Sequence, residues 1–359
     1  MKAIAKMLKN FHKNIKGKRI LITGNTGFVG NYLSLTLNLM GAKILGYSLK
    51  MKNKNFISNS NQFKNKIKTI EADIVEIQKY YKKINFFKPQ IIIHLAAQPL
   101  VNESYINTDK TYKTNIIGTI ELMELCKKLK SVKHILIFTS DKVYENLDGN
   151  LLKENSKLGG IDPYSASKSS QDIISNSYKN SFFKNKLNMS IIRAGNIIGG
   201  GDWNFSRLVP DIYMSIYKKN RLIIRNPNAI RPWQHILDVV DAIIFVLFKN
   251  DKKIILNTNI FNVGPNLNSN ITVIELIKKI KKESSKLSFN FLIKKIKFKE
   301  TKILRLSNQY IKKKLGWYPK LNITQTVKLT NIWYDQFFTN KKKIFEFTEK
   351  QIISFFNLK

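Results

Sequence analysis

Residues 18–30 read KRILITGNTGFVG, a short apolar run that leads directly into three glycines spaced G-x-x-G-x-x-G. The run predicts a buried strand over Lys18–Thr23, and the following stretch, Tyr32–Met40, predicts a helix. A strand, a glycine-rich turn and a helix in this order bind dinucleotides. The turn lets the backbone approach a pyrophosphate, and the helix N-terminus attracts its charge. The predicted cofactor contacts in this segment are Gly24, Thr26, Gly27, Phe28, Val29 and Gly30.

Alternating strands and helices continue to about residue 190, which predicts an α/β fold with a doubly wound parallel sheet. The apolar runs Gln90–Leu95 and His134–Thr139 read as buried strands, whose carboxyl ends form the ligand-binding edge of such sheets. The second strand, Lys43–Tyr47, ends at Ser48, which can hydrogen-bond a ribose 2′-hydroxyl. Lys50 can instead pair with a 2′-phosphate, so these residues favour NAD over NADP without deciding between them.

Further cofactor contacts are predicted where later strands end. Asp73 can accept a hydrogen bond from an adenine amino group, or it can simply cap a helix, a role that Asp fills well. Small residues at the end of Gln90–Leu95 leave room for a cofactor. The remaining candidates are Ile74, Ala96, Ala97, Gln98, Asn115 and Thr139.

The stretch Tyr164-Ser165-Ala166-Ser167-Lys168 places a phenol and an ammonium group one helical turn apart. A neighbouring cation lowers the pKa of a tyrosine from its ordinary value near ~10, so Tyr164 can serve as a base. Ser140 can hold the substrate oxygen while the proton leaves. Together these groups can oxidise an alcohol by hydride transfer. Tyr-x-x-x-Lys alone is a weak signal, and it gains weight from the glycine-rich turn before it.

The composition limits the partners of the chain. Its formal net charge of +38 over 359 residues would suit a nucleic-acid ligand. However, the lysines are scattered over the whole length and no nucleic-acid-binding motif accompanies them, so we expect no nucleic acid as the functional ligand. One cysteine, Cys126, excludes a disulfide framework and fits a reducing cytoplasm. No apolar run is long enough for a membrane span, and no membrane partner or metal site is expected.

Five of the seven arginines fall between residues 193 and 231 of a chain that otherwise uses lysine: Arg193, Arg207, Arg221, Arg225 and Arg231. A guanidinium group binds phosphate oxygens through two parallel hydrogen bonds, which an ammonium group cannot do. The cluster therefore favours a pyrophosphate-bearing substrate over chance and surface salt bridges. The same stretch supplies the predicted substrate contacts Asn196, Asp202, Trp203, Arg207, Arg231, Gln234 and His235.

These motifs resemble those of the extended short-chain dehydrogenase/reductase family of nucleotide-sugar enzymes, and within it those of the CDP-glucose 4,6-dehydratases. The resemblance covers about residues 18–335. Its most specific parts are the TSDK stretch with GGGDW and RPWQH. The shared stretches include GNTGFVG (24–30), HLAAQPLV (94–101), TNIIGT (114–119), TSDKVY (139–144), DPYSASK (162–168), RAGNIIGGGDW (193–203), RLVPD (207–211) and RPWQH (231–235).

The resemblance implies a role for each matched catalytic residue. Tyr164 and Lys168 match the catalytic pair and Ser140 the hydroxyl beside it, while Asp141 and Lys142 match the groups that distinguish dehydratases from epimerases. Related dehydratases have a glutamate at the position of Lys142, where it removes the C5 proton. The base at C5 is therefore open here: Lys142 acts as a neutral base, or it stabilises an enolate while another group takes the proton.

The implied reaction is NAD-dependent 4,6-dehydration of a nucleotide-activated hexose, CDP-glucose. The alternatives are a sugar-nucleotide 4-epimerase and a non-catalytic protein that binds the cofactor. Three domain assignments follow: a basic extension over residues 1–17, a Rossmann-type NAD-binding domain, and a smaller interleaved mixed α/β substrate domain. The NAD-binding domain takes residues 18–192 and 232–254, and the substrate domain takes residues 193–231 and 255–359.

The resemblance also implies a homodimer or tetramer. Related enzymes pair two helices, here Thr111–Lys130 and Ser165–Phe183, across a two-fold axis. Four apolar residues on these helices can lie in that interface or can equally face the sheet of their own chain: Leu122, Leu125, Ile173 and Ile174.

Overall fold

Seven parallel strands form the central sheet of the computed structural model, in the order β12-β7-β5-β4-β1-β2-β3. The structure describes residues 14–53, 55–145, 149–184, 186–204, 206–218, 221–248, 260–283, 291–293 and 301–358. The strands are β1 (Arg19–Thr23), β2 (Lys43–Ser48), β3 (Lys68–Glu71), β4 (Ile91–His94), β5 (His134–Phe138), β6 (Leu151–Leu152), β7 (Asn188–Ala194), β8 (Ile197–Ile198), β9 (Leu222–Ile224), β10 (Ile230–Pro232), β11 (Gln234–His235), β12 (Ile260–Val263), β13 (Asn270–Thr272), β14 (Phe291–Ile293) and β15 (Arg305–Leu306).

Helices cover both faces of this sheet. They are α1 (Phe28–Leu39), α2 (Asn61–Lys66), α3 (Tyr81–Phe87), α4 (Val101–Ile106), α5 (Thr108–Tyr112), α6 (Gly118–Lys128), α7 (Pro163–Tyr178), α8 (Leu208–Lys218), α9 (Ile236–Phe248), α10 (Val273–Glu283), α11 (Gln309–Leu315), α12 (Ile323–Thr339) and α13 (Ile344–Phe356). Short 3₁₀ helices span Ile57–Asn59, Ile74–Tyr80, Asp141–Val143, Leu267–Ser269 and Lys341–Lys343, and π-helical turns span Lys113–Ile117 and Lys179–Phe183.

The prediction of a doubly wound parallel sheet is confirmed. One core cluster includes residues of α1 and α9 on one face, and a second includes residues of α6 on the other. Strands covered on both faces read as continuous apolar runs, which explains the fully buried β4. Strand β1 lies between β2 and β4, so the strand order reverses there and a crevice opens at the carboxyl ends.

The chain enters this sheet again after the segment predicted to form the substrate domain. Strand β12 pairs in parallel with β7, Ile260 opposite Ile191 and Val263 opposite Ala194. The predicted boundary at residue 255 is therefore wrong for this strand, which belongs to the central sheet. Of the predicted basic extension, residues 1–13 lie outside the described residues, while Ile15 is buried in the core.

A buried ion pair joins the central sheet to α7, the helix that carries Tyr164 and Lys168. Arg193 on β7 donates to both carboxylate oxygens of Asp172 on α7, from Nε at 2.7 Å and from Nη2 at 2.9 Å. The two side chains are 2% and 0% exposed. The place of Arg193 in the arginine cluster had suggested that it binds a pyrophosphate. The structure contradicts this, because the guanidinium is buried and paired with Asp172.

The same guanidinium also fixes the loop after β5. Arg193 Nη1 donates to the hydroxyl of Tyr144 at 2.8 Å and to the carbonyl oxygen of Glu154 at 2.9 Å. The Tyr144 hydroxyl in turn donates to Asn262 Oδ1 at 2.6 Å, on β12. Helix α7, strands β7 and β12, and the loop that contains residues 139–144 are thus held together around one buried cation.

We expect Arg193→Met to lower the free energy of unfolding by about 3–5 kcal/mol, because it leaves the Asp172 carboxylate buried without its counter-ion. Equilibrium unfolding in urea measures the change. The double variant Arg193→Met/Asp172→Leu should regain part of the loss, since it removes both charges. Arg305→Met, at an exposed arginine, is the matched control and should change stability by less than about 0.5 kcal/mol. Equal effects at the two arginines would contradict this role.

Candidate active site

A cavity of about 520 Å³ opens at the carboxyl ends of the central strands. One wall consists of the loops that follow β1, β2, β4 and β5, and the other is formed mainly by residues from 194 to 233. The two regions that the sequence assigned to a cofactor and to a substrate therefore meet in one space.

The glycine-rich turn shows why side chains are excluded from this wall. Gly24 has a φ of +72°, and a Cβ there would lie 2.7 Å from the backbone nitrogen of Ala96. A Cβ on Gly30 would overlap the carbonyl oxygen of Gly24. Gly27 caps α1 without a side-chain hydrogen bond, and the first turn of the helix lines the cavity. This arrangement fits the pyrophosphate of a dinucleotide.

The hydroxyl group of Ser48, at the end of β2, forms a hydrogen bond of defined direction with that of Thr26. Thr26 Oγ1 donates to the carbonyl oxygen of Leu49 at 3.0 Å and lies 2.6 Å from Ser48 Oγ. Because the Thr26 hydrogen is used by Leu49, Ser48 donates to Thr26. Ser48 lines the cavity and keeps its lone pairs as acceptors.

Asp73 has the capping role that was one of its two sequence interpretations. Its Oδ1 accepts from the backbone nitrogen of Val75 at 3.3 Å, at the start of the 3₁₀ helix Ile74–Tyr80. Asp73 also lines the cavity, so a contact with adenine stays a prediction beside the cap.

Helix α7, which carries Tyr164 and Lys168, begins with a strong N-terminal capping signal. Asp162 caps α7 by accepting from the backbone nitrogen of Ser165 at 3.0 Å, and Pro163 occupies the first helical position. The helix places Tyr164 and Lys168 one turn apart, and both line the cavity. The local sequence DPYSASK therefore positions both groups.

Burial dominates the acid–base properties of this pair. It raises the pKa of Tyr164 to about 12, against the lowering effects of a hydrogen bond with Ser140 and of the charge on Arg207. Burial also lowers the pKa of Lys168 to about 7. We expected Lys168 to lower the pKa of Tyr164; the cation that lowers it in this structure is Arg207.

Asp141 lies beside this pair as a buried acid. Ser140 Oγ donates to Asp141 Oδ1 at 3.0 Å and accepts from the backbone nitrogen of Lys142 at 3.2 Å. Asp141 Oδ2 is buried and has no hydrogen-bond partner among the described residues. Burial raises the pKa of Asp141 more than the charge of Lys142 lowers it. Burial therefore shifts Asp141 toward its protonated form, in which it can donate a proton.

Most predicted site residues meet in this cavity. Those that line it are Gly24, Gly27, Phe28, Val29, Gly30, Ser48, Asp73, Ile74, Ala96, Ala97, Thr139, Ser140, Asp141, Lys142, Tyr164, Lys168, Asn196, Asp202, Arg207 and Arg231. Six predicted residues lie behind its walls: Thr26, Gln98, Asn115, Trp203, Gln234 and His235.

The two predicted amide contacts near the cofactor are occupied by hydrogen bonds within the protein. Gln98 Nε2 donates to Thr111 Oγ1 at 2.8 Å, and Asn115 Oδ1 accepts from the backbone nitrogen of Gln98 at 2.8 Å. Asn115 Nδ2 donates to Ser167 Oγ at 2.8 Å, on α7. These side chains support the loop after β4, and Thr26 similarly supports Ser48.

Three predicted substrate contacts are also structural. Trp203 packs in an aromatic cluster, with its ring centre 4.5 Å from that of Phe337. Gln234 Nε2 donates to the carbonyl oxygen of Val263 at 2.9 Å, and His235 Nδ1 accepts from the backbone nitrogen of Leu237 at 3.2 Å. Gln234 Nε2 and His235 Nδ1 are thus occupied within the protein, whereas Trp203 Nε1 and Gln234 Oε1 are buried and have no hydrogen-bond partner among the described residues.

The prediction omitted residues at the far end of the cavity, whose stretches it had nevertheless noted. Arg225 belongs to the arginine cluster, and it lines the cavity with Asn226. Leu208 and Asp211 come from RLVPD, and Trp233 from RPWQH. A motif marks a segment that reaches the site, but which of its side chains faces the cavity depends on the fold.

The described residues contain no group of three or more His, Cys, Asp or Glu side chains placed to hold a metal ion. No described helix is both long enough and apolar enough to cross a membrane.

Comparison with known proteins identifies the family of this chain. Residues 21–330 match the profile of the GDP-mannose 4,6 dehydratase family. The chain belongs to this family. The CDP-glucose 4,6-dehydratase of Salmonella typhimurium is 35% identical over 336 residues, which cover 91% of this chain and 92% of that protein. Human dTDP-D-glucose 4,6-dehydratase is 27% identical, covering 91% and 93%.

Solved structures share the fold of this member of the GDP-mannose 4,6 dehydratase family. The Bacillus anthracis dTDP-glucose 4,6-dehydratase, solved in complex with NAD, has a TM-score of 0.76 and 24% identity, covering 91% of this chain and 98% of that one. The Thermotoga maritima UDP-glucose 4-epimerase, solved with UDP-glucose, has a TM-score of 0.78 and 23% identity, covering 89% and 99%. The fold is therefore common to dehydratases and epimerases, and it does not choose between the two reactions.

We expect His235 to act on stability and not on substrate affinity. Burial lowers its pKa to about 3, against about 6.5 in an unfolded chain. The unfolded state therefore binds more protons between these values, so stability falls as the pH drops below 6.5. Between pH 7 and pH 5 this loss is about 2 kcal/mol.

His235→Asn should remove that part of the pH dependence and leave the KM for the substrate unchanged. Urea unfolding of both proteins at pH 7 and pH 5 measures the first effect, and steady-state kinetics measures the second. A several-fold rise in KM, with the pH dependence of stability unaltered, would contradict this prediction and show that His235 acts in substrate binding.

Proposed function

We propose that this protein is an NAD-dependent 4,6-dehydratase of a nucleotide-activated hexose, CDP-glucose. The observation that carries the proposal is the cluster of Ser140, Asp141, Lys142, Tyr164 and Lys168 in one cavity. An alcohol oxidation needs only the hydroxyl, the phenol and the lysine. A buried acid beside them is the additional group that elimination of water requires. The 35% identity to a CDP-glucose 4,6-dehydratase supports the choice of substrate.

The glycine-rich wall would hold NAD, which, when bound, accepts a hydride from C4 of the sugar and returns it to C6. The tight packing of Gly24 and Gly30 fits the pyrophosphate. Ser48 favours NAD over NADP, because its hydrogen is already donated to Thr26. It can accept from a ribose 2′-hydroxyl, whereas a 2′-phosphate has no hydrogen to offer at neutral pH.

We assign removal of the C4 hydroxyl proton to Tyr164, while Ser140 holds the oxygen. A phenol whose pKa is about 12 loses its proton only with help from nearby positive charge. The guanidinium of Arg207 supplies it in this structure, and the ammonium form of Lys168 lines the same cavity. The resulting C4 ketone makes the neighbouring C5 proton acidic.

The elimination across C5 and C6 is assigned to Asp141 and its neighbour. Asp141 in its protonated form donates to the departing C6 hydroxyl, which leaves as water. Lys142 is adjacent in the chain and lines the cavity. It either takes the C5 proton or stabilises the enolate while another group takes it.

The arginines of the cavity would bind the substrate's pyrophosphate. Three of the chain's seven arginines line the cavity, Arg207, Arg225 and Arg231, while among the described lysines only Lys142 and Lys168 do so. The lysine excess that gives the chain its charge is thus not concentrated at this site. Selective use of arginine here suits bidentate binding of phosphate oxygens.

The test is to incubate the purified protein with NAD and, separately, with CDP-, dTDP-, GDP- and UDP-activated hexoses. Conversion of CDP-glucose to a 4-keto-6-deoxy product, seen by NMR and as the loss of one water by mass spectrometry, is the expected result. Asp141→Asn should lower the dehydration rate by about 10²- to 10⁴-fold. Oxidation at C4 should continue in this variant, seen as nicotinamide reduction, and Tyr164→Phe should stop both.

The alternatives give different results. A 4-epimerase would convert a sugar nucleotide without loss of water, and its rate would not change in Asp141→Asn. A non-catalytic cofactor-binding protein would bind NAD and convert none of the four substrates. The intact set of catalytic groups in the cavity argues against the second alternative.

We also propose that the protein is a homodimer that acts in the cytoplasm. Leu122 and Leu125 are fully buried in the core of their own chain, so they are not interface residues. Other apolar side chains on or beside the two expected interface helices are exposed, as an interface requires. These are Ile106, Tyr112, Ile117, Ile161 and Ile173.

Ile173→Asp should convert the dimer to a monomer, because it places a carboxylate on the exposed apolar face of α7. Light scattering at moderate salt measures the mass of both proteins. Ile173 is 55% exposed; Phe86 on α3 is 90% exposed, and Phe86→Asp is the matched control that should remain a dimer. A wild-type protein of monomer mass at micromolar concentration would reject the interface.

A further inference from the structure

The amine of Lys168 lies at one end of a buried chain of polar side chains. Lys168 Nζ donates to Gln171 Oε1 at 2.8 Å, one turn further along α7. Gln171 Nε2 then donates to Thr119 Oγ1 at 2.9 Å, on α6, and Thr119 Oγ1 donates to the carbonyl oxygen of Asn115 at 2.8 Å. Lys168, Gln171 and Thr119 are all buried, so each polar atom depends on these partners.

His94 continues the chain to the end of β1. Its Nε2 lies 3.1 Å from Thr119 Oγ1, and its Nδ1 lies 2.7 Å from Thr23 Oγ1. Thr119 has already donated its only hydrogen, so His94 carries its hydrogen on Nε2 and accepts at Nδ1. Burial lowers the pKa of His94 to about 3, with the charge of Lys168 acting in the same direction. The ring is therefore neutral and its hydrogen-bonding pattern is fixed.

This pattern leaves Gln171 one orientation. If its amide were reversed, the NH₂ group would face the amine of Lys168, and the carbonyl oxygen would face a Thr119 oxygen with no hydrogen to give. We propose that Gln171 is a positioning residue for the reaction proposed above, holding Lys168 as an ammonium group at the cavity wall beside Tyr164. No contact between Gln171 and the ligands is needed for this role.

Because Lys168 is buried, its protonation state is sensitive to the one acceptor that Gln171 provides. Burial brings its pKa to about 7, so both forms are populated at neutral pH. Besides Gln171, its amine donates to the carbonyl oxygen of Phe138, at the longer distance of 3.4 Å. The titratable groups around it are neutral His94 on β4, Tyr164 on its own helix and Asp141 in the cavity wall. The neutral acceptor of Gln171 therefore favours the charged form.

The first test measures the titration of Lys168 itself and needs no turnover. The probe is protein labelled with ¹³C at lysine Cε, whose NMR signal follows the protonation of each amine. The Lys168 signal is the one missing in Lys168→Met. Gln171→Leu should lower the Lys168 pKa by about one to two units, because it removes a hydrogen bond to a charged group. Gln171→Glu should raise it by a similar amount, because it adds a carboxylate in contact.

The second test is kinetic. At neutral pH, Gln171→Leu should lower kcat roughly 10- to 100-fold through the lost ammonium form. The KM for the nucleotide sugar should change less than about two-fold, since the substrate does not contact Gln171. Gln171→Glu should keep most of the activity, because it restores an acceptor for the amine. Gln351→Leu is the matched control: its Nε2 donates to the Leu329 carbonyl oxygen at 3.2 Å, and its loss should alter neither measurement.

The outcomes separate this inference from the proposed function. A Lys168 pKa that is the same in Gln171→Leu as in the wild type overturns the positioning role. If Gln171→Leu does not fold, Thr119→Val asks the same question, because it removes the hydroxyl that holds the Gln171 amide with its oxygen toward Lys168. It should lower the same pKa, and an unchanged value rejects the proposal. A wild type that converts no nucleotide hexose refutes the proposed function, whereas the titration still decides the role of Gln171.

Discussion

A buried cation at the centre of the molecule, the guanidinium of Arg193, sets the geometry of the candidate active site. It is bound to Asp172 on α7 and to Tyr144 at the end of the loop that contains residues 139–144. Burying these charges is costly unless every partner is in place, so displacement of one element penalises the others. The separation between the acid at Asp141 and the phenol at Tyr164 is thus determined by a contact that faces away from the cavity.

The groups assigned to the chemistry and those assigned to substrate recognition lie on different walls of the cavity. The groups assigned to oxidation and elimination lie on β5, its loop and α7, which the buried pair fixes to the sheet. The groups assigned to the pyrophosphate lie on the opposite wall, from residue 194 onward, where the chain forms short paired strands and α8. Dehydratases and epimerases share this fold, so the reaction depends on which side chains line the walls and not on the fold itself.

The sequence predicted best the features that depend on neighbouring residues. The glycine turn at Gly24 and the cap at Asp162 each place a functional group by local geometry, and both regions line the cavity. It failed where long-range burial decides the role. Arg193 and Gln234 lie in motifs that reach the site, yet the Arg193 guanidinium and Gln234 Nε2 donate to partners distant in the chain. The attachment of β12 to β7 likewise could not be read from its own four residues.

Ionisable side chains at the site differ from those on the surface because burial shifts their pKa. A positive net charge such as the +38 of this chain favours deprotonation of acids and bases alike. Burial instead disfavours the charged form of each group, so it depresses the pKa of Lys168 and raises that of Asp141. A lysine in this cavity is therefore an unreliable cation, whereas an arginine stays charged at any working pH. That difference gives a physical reason for arginine on the wall to which we assign the pyrophosphate. It also gives the reason why Lys168, in the role proposed for it, would need a buried acceptor to keep its proton.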